Sequence, residues 1–202
     1  MDGRVAVLAS GGGTNLQALL DDPVLGSRIA LVVSDNGDAH ALERARARDV
    51  EAIHLDPASF DTREAHDHAL VELLRDRRID VVAMAGYMRL VGPAVVDAFH
   101  DRLVNVHPAL LPSFRGTQAV ADALAYRVKV TGVTVHLVDE GVDTGPVIFQ
   151  EAIEVRDDDD WDSLEARVHA VEHRLLPRAV RALLEGRVTR EGRHVRVEGE
   201  DR

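Results

Sequence analysis

Asn105 and His107 stand two residues apart in "NVHPALLPSF", and Pro108 follows them directly. If "LVNVH" is a strand, side chains at i and i+2 share a face. The amide and the imidazole then project together while Val104 and Val106 face the other layer. Pro108 ends such a strand. Asp143 joins them from "DEGVDTGP", a loop bracketed by glycines. A carboxylate beside His107 would favour the imidazolium, raise its pKa and give a cationic donor near neutral pH. No serine stands in a nucleophile-elbow context and the chain has no cysteine, so an acyl-enzyme is not expected. An amide, an imidazolium and a carboxylate are suited instead to stabilising the oxyanion formed when a bound amine attacks a bound acyl group.

A second cluster is "SGGGTNLQ", residues 10–17, between a strand pattern and a helix pattern. Its glycines allow close backbone approach, and Thr14 and Asn15 offer donors at a helix start, which suits a phosphate. The dinucleotide fingerprint fits only in part. Gly11 and Gly13 have the first spacing and Asp35 ends the second strand, but Leu16 occupies the third glycine position. A P-loop fails because no Gly-Lys-Ser/Thr follows.

A third, "HAVEH" from His169 to His173, matches H-x-x-E-H, a zinc-hydrolase pattern. No third ligand motif lies downstream, so the preferred reading is a helix face bordering a substrate pocket or solvent, with no metal. His66 and His68 point in different directions on a helix. The acidic run 157–160 reads as a solvated turn ahead of a helix N-terminus, since the spaced ligands and central glycine of a calcium loop are missing.

These groups need elements to place them. "RVAVLAS", "RIALVVSD", "EAIHLD" and "DVVAMAG" read as strands, with helix patterns in "NLQALL", "AHALERARARD" and "DTREAHDHALVELLRDRR" between them. Ala65, Ala69, Leu70, Leu73 and Leu74 are expected on one face of the last helix. This alternation implies right-handed crossovers and a Rossmann-like parallel sheet covered on both faces, with ligands at the C-terminal strand ends. After "RLVNVHP" the pattern changes. "VTGVTVHLVDE" and "GPVIFQEAIEV" are strands with no helix between them, which predicts an antiparallel or mixed extension. Asp162 with Glu165 is expected to form a capping box. Leu164, Val168, Val171 and Leu175 form the stripe of a closing helix that Pro177 should bend or restart. "RVTREGRHVRV" reads as a hairpin around Glu191 and Gly192. No repeat or linker divides the chain.

The 202 residues are 46% hydrophobic, enough for a substantial core, and one α/β domain is expected. A net charge of −11 argues against a nucleic-acid surface, yet does not exclude a small phosphorylated ligand held by backbone N–H groups. "MDGRVAVLAS" lacks the basic region and long apolar core of a secretory signal, and no apolar run is long enough to span a bilayer. A soluble cytoplasmic protein is expected.

"VLASGGGTNLQALL", "AGYMRLVGP", "NVHPALLPSF", "GVTVHLVDEGVDTGPVI" and "ARVHAVEHRLLP", in this order and spacing, resemble the phosphoribosylglycinamide formyltransferase family, the folate-dependent enzymes of purine synthesis. The resemblance covers almost the whole chain. It implies a single formyltransferase domain over 1–202, with a phosphate-binding half over 1–100 and a catalytic and folate-binding half over 101–202. It implies that Gly12, Gly13, Thr14 and Asn15 hold the phosphate and ribose of the glycinamide ribonucleotide, with Glu172 on the ribose. Arg63, Met88, Arg89, Leu90, Val91 and Asn105, with the loop Asp139, Glu140, Gly141, Val142 and Asp143, would line the site for the cosubstrate 10-formyltetrahydrofolate. Asn105, His107 and Asp143 match the catalytic trio: Asn105 and His107 donate to the formyl oxygen, and Asp143 orients His107 and helps move the proton through water. No metal, nucleic acid or membrane partner is implied, and a monomer or homodimer is expected. Where the family usually continues Pro-Gly-x-His after "LLPSF", this chain has Arg115, Gly116, Thr117 and Gln118. Arg115-Gly116 resembles methionyl-tRNA and some sugar formyltransferases. Formyl transfer to an amino sugar nucleotide or to methionyl-tRNA, or a non-catalytic nucleotide-binding module, therefore stay as alternatives.

Overall fold

The computed structural model describes residues 3–199, and the ends of the expected 1–202 domain, residues 1–2 and 200–202, lie outside the described residues. Strands and helices alternate through the first half: β1 (Val5–Leu8), α1 (Thr14–Asp21), β2 (Ile29–Ser34), α2 (His40–Arg46), β3 (Glu51–His54), α3 (Arg63–Asp76), β4 (Val81–Met84), α4 (Pro93–Ala98) and β5 (Leu103–His107). Next, α5 (Ala119–Tyr126) leads into β6 (Val130–Leu137) and β7 (Val147–Glu154). The long α6 (Trp161–Leu184) and the hairpin of β8 (Val188–Glu191) and β9 (His194–Val197) close the described chain.

Seven strands form one sheet in the order β3-β2-β1-β4-β5-β6-β7. β1 to β5 are parallel, while β6 and β7 run antiparallel, as the change of pattern after "RLVNVHP" predicts. Alternate residues of β1 enter opposite cores. Val5 and Val7 pack with Leu16, Leu42 and Val168 from α1, α2 and α6, whereas Ala6 and Leu8 pack with Leu70, Leu74 and Val95 from α3 and α4. From β1 the chain winds outward to β3 and then returns to the other side of β1 as β4. The order reverses there, and the crevice outside the carboxyl ends of β1 and β4 is the site that this topology offers a ligand. On β5, Val104 and Val106 enter the α6-side core, which leaves Asn105 and His107 on the opposite face with Leu103.

Several local expectations are corrected. The buried face of α3 is His66, Asp67, Leu70, Val71 and Leu74, with Ala65 exposed and Leu73 only half-buried. The stripe is rotated by about one position, because a buried His-Asp pair counts as polar in an apolar pattern. The cap of α6 is Asp160, not Asp162: its carboxylate accepts from the Ser163 N–H at 2.9 Å, and its own N–H donates to Ser163 Oγ at 3.1 Å. Pro177 does not restart the helix, since α6 is continuous from Trp161 to Leu184 around it. Pro177 removes one N–H, and the apolar side chains buried on both sides of it keep the helix docked. α4 and α5, six and eight residues long, are too short to declare themselves by periodicity.

Candidate active site

β5 carries Asn105 and His107 to the C-terminal edge of the sheet, and β6 brings His136 directly opposite Asn105 in the antiparallel register. The loop after β6 returns Asp143 beneath them. Asp143 Oδ2 lies 3.4 Å from His107 Nδ1, and Oδ1 accepts from Asn105 Nδ2 at 3.4 Å. The Gly116 N–H donates to Asp143 Oδ2 at 2.8 Å. Gly116 has φ +88°, a left-handed conformation that glycine adopts without strain. On the other side of the imidazole, His107 Nε2 lies 2.8 Å from the Phe114 carbonyl.

His136 was not singled out by the sequence patterns. Its Nδ1 is 2.8 Å from the Leu137 carbonyl and so carries a proton. Its Nε2 lies between the other two groups, 3.3 Å from Asn105 Nδ2 and 3.6 Å from Asp143 Oδ1. The signal for it lay in the pairing of the strands, because "TVHLV" alternates and its histidine falls across from the asparagine of "LVNVH".

The charge expected on His107 is corrected. Burial, at 4% exposure, pushes the imidazole pKa down. The Asp143 carboxylate and the Phe114 carbonyl push it up without overcoming that, so His107 is held neutral at neutral pH. A carboxylate neighbour is visible in a sequence, whereas the depth of burial is not. Burial raises the Asp143 carboxyl, but hydrogen bonding with His136 and the Gly116 N–H outweighs it and holds Asp143 below the ordinary carboxylate range. Asp143 is therefore ionised beside a neutral ring.

A cavity of about 420 Å³ opens onto this cluster. Its wall takes Arg63 from α3, Met88, Arg89, Leu90 and Val91 from the segment after β4, and Asp139, Glu140, Gly141 and Val142 from the loop that carries Asp143. Met88 and Leu90 are exposed, 61% and 55%, and both line the cavity, where they offer apolar surface to a ligand. Asp67, almost fully buried, accepts the Gly92 N–H at 2.8 Å and ties that segment to α3. Tyr87 also lines the cavity, and burial pushes its hydroxyl pKa up, so it stays protonated.

The same cavity is also lined by Asn15, His169 and Glu172. Glu172 Oε2 accepts from Asn15 Nδ2 at 2.8 Å and faces His169 Nδ1 at 2.8 Å, joining residues 157 positions apart in the chain. Its hydrogen bond to Glu172 raises the His169 pKa. The other amide atom of Asn15, Oδ1, is buried without a partner. His169 and His173 stack with nearly parallel rings, 5.8 Å between centroids. Among the described residues no cluster of three His, Asp or Glu side chains could hold a metal ion, and no helix is long and apolar enough to cross a membrane.

Of the residues assigned to the catalytic, acceptor and folate sites, Gly12, Gly13 and Thr14 do not border this cavity; they precede Asn15 in the chain, after β1. Gly116 and Thr117 border it, while Arg115 and Gln118 are exposed and do not. The departures from the expected "Pro-Gly-x-His" segment thus keep the glycine that bonds Asp143 and change two exposed residues outside the cavity lining.

A doubly wound sheet with a cavity at its switch point, and an Asn-His-Asp cluster without a nucleophile beside it, define a protein that transfers a group between bound small molecules. Residues 3–180 match the family described as formyl transferase, and the chain belongs to that family. It is 40% identical over 184 residues to the phosphoribosylglycinamide formyltransferase of Bacillus subtilis, covering 90% of this chain and 94% of that one. The enzyme of the same name from Mycobacterium tuberculosis is 46% identical over 192 residues, covering 94% and 89%. Among solved structures, glycinamide ribonucleotide transformylase 1 from Symbiobacterium toebii superposes with a TM-score of 0.93 at 49% identity, covering 96% of this chain and 93% of that one.

Proposed function

We propose that this protein transfers the formyl group of 10-formyltetrahydrofolate to the amine of N1-(5-phosphoribosyl)glycinamide in de novo purine (IMP) biosynthesis, in the cytoplasm. The observation that carries the reading is one continuous cavity running from the Asn105, His107 and Asp143 cluster to Asn15 and Glu172 beside the glycine loop. Gly12, Gly13, Thr14 and Asn15 hold the phosphate and ribose, with Glu172 on the ribose hydroxyls. Arg63, the segment from Met88 to Val91 and the loop 139–143 cradle the folate. The chain is read as one formyltransferase domain whose folate wall draws on both the 1–100 and the 101–202 halves. A monomer or homodimer is expected.

The amine attacks the formyl carbon, and the carbonyl π pair moves to oxygen. Asn105 Nδ2 and the His107 Nε2–H, which rests on the Phe114 carbonyl, donate to that oxyanion. Attack also leaves a proton on the ammonium nitrogen. Asp143 Oδ2 and His107 Nδ1, 3.4 Å apart, form a pair with no proton between them at rest, so the pair can take this one directly or through a water. The same proton passes to the folate nitrogen as its bond to the formyl carbon breaks and the carbonyl re-forms.

The exposed Arg115 and Gln118 give no support to a tRNA or sugar-nucleotide acceptor. The test offers purified protein 10-formyltetrahydrofolate with phosphoribosylglycinamide, with an amino sugar nucleotide and with methionyl-tRNA. Consumption only with the first supports the reading. Consumption only with another acceptor transfers the assignment to it, and none at all favours a nucleotide-binding module.

A further inference from the structure

The loop between β1 and α1 is held from behind by the β2–α2 side of the fold. The Ser10 carbonyl accepts from Asn36 Nδ2 at 3.4 Å, the Gly11 carbonyl from the Ala41 N–H at 3.1 Å, and the Gly12 carbonyl from Arg44 Nε at 2.8 Å. In a trans peptide the N–H points opposite to the C=O of the same unit. Fixing these three carbonyls therefore turns the N–H groups of Gly11, Gly12 and Gly13 away from α2. Among the described residues no backbone carbonyl takes those N–H groups. The loop lies hard against α2, since a Cβ on Gly13, at φ +71°, would come within 2.8 Å of Ala41 Cα.

Only one of the three clamps carries a charge. The half-buried Arg44 spans two anchors, with Nε on the Gly12 carbonyl and Nη1 on Gln17 Oε1 at 3.0 Å. A planar guanidinium makes both bonds at fixed geometry, which a lysine ammonium cannot reproduce. The chain as a whole carries a net charge of −11, an unfavourable field for a phosphate dianion.

We propose that Arg44 is the positioning residue of the acceptor's phosphate site: it fixes the Gly12–Gly13 peptide with its N–H outward and supplies positive charge beneath the loop. This rests on the phosphate reading above. Arg44 takes no part in the chemistry of the formyl group, since it does not border the cavity that Asn105, His107 and Asp143 line.

The experiment compares the parent with Arg44→Gln and Arg44→Lys, using phosphoribosylglycinamide and its dephosphorylated ribonucleoside as acceptors. Losing one charge-assisted anchor should raise KM for the phosphorylated acceptor about ten- to a hundredfold in Arg44→Gln, with kcat moving less than about twofold. Arg44→Lys should fall between, because charge returns without the fork. KM for the ribonucleoside and for the folate should stay at parent values. An unchanged KM for the phosphorylated acceptor overturns the proposal, and so does an equal loss with both acceptors and folate, which would mark a general structural role. Should Arg44→Gln fail to fold, Gln17→Met, which frees only the outer anchor, carries the same comparison. Inorganic phosphate binding, followed by calorimetry on parent and variants, keeps the two claims separate. A parent that transfers no formyl group refutes the proposed function, whereas phosphate binding that is as strong in Arg44→Gln as in the parent refutes the role of Arg44.

Discussion

Asn105 is a donor held by two neighbours, and removing it should cost what one preorganised oxyanion donor is worth. Asn105→Ala is expected to lower kcat by about a hundred- to a thousandfold while the KM for the acceptor barely moves. Steady-state kinetics decide, since a raised KM with kcat retained would make Asn105 a binding residue. His107 and Asp143 both have pKa values below their ordinary ranges, so at neutral pH the pair holds no shared proton and is ready to receive one. Turnover should therefore be flat around neutrality and fall only as pH drops below the ordinary imidazole range, where the pair fills before substrate arrives. Asp143→Asn should lose most activity, because the carboxylate that balances the incoming proton is gone. An acid limb starting above the ordinary imidazole range would mean that a cationic His107 is the resting form after all. The residue types of this trio were legible because their chemistry is written in the side chains. The protonation state was not, because the burial that lowers the His107 pKa comes from the packing of the whole site around the ring.

At the scale of elements, the site depends on turns that only certain residues can make. Gly116 supplies the N–H that bonds Asp143 from a left-handed conformation, and an added Cβ would meet nothing within 4 Å. Gly116→Ala therefore carries backbone strain without a clash, and relief of that strain turns the N–H from the carboxylate. It should lower kcat by about tenfold with the folded state retained, as read by kinetics beside a thermal melt. The cap of α6 gives the opposite pattern. Asp160→Ala should lower the melting temperature by about 2–4 °C and leave kcat unchanged, while Asp162→Ala should do neither. A melting shift in Asp162→Ala with none in Asp160→Ala would put the cap where the sequence pattern placed it. That pattern failed because Ser163 closes the box in place of the usual Glu or Gln, so Asp162 and Glu165 offered the more familiar spacing. His136 was missed for a related reason: its role comes from lying opposite Asn105 across two strands, and a linear reading of "TVHLV" contains no partner.

Across the whole molecule, the parallel half supplies the glycine loop and the segment after β4 at one switch point. The antiparallel extension adds His136 and Asp143, and α6 crosses back to place Glu172 against Asn15. The alternation of strands and helices, and its change after β5, were visible in hydrophobic periodicity. The meeting of α1 with α6 was visible only through family resemblance, since nothing local joins "TNLQ" to "HAVEH". On the proposed reading, backbone N–H groups and one arginine would do for a phosphorylated substrate on an acidic chain what a basic surface does elsewhere. It also joins the acceptor and donor ends in one cavity, so the formyl carbon should pass directly from folate to amine. The decisive measurement follows an isotopic label in the formyl carbon of 10-formyltetrahydrofolate during turnover with phosphoribosylglycinamide. The label should appear stoichiometrically in the formylated amide product, with none released as formate. Label recovered as free formate, or retained in the folate, would contradict direct transfer.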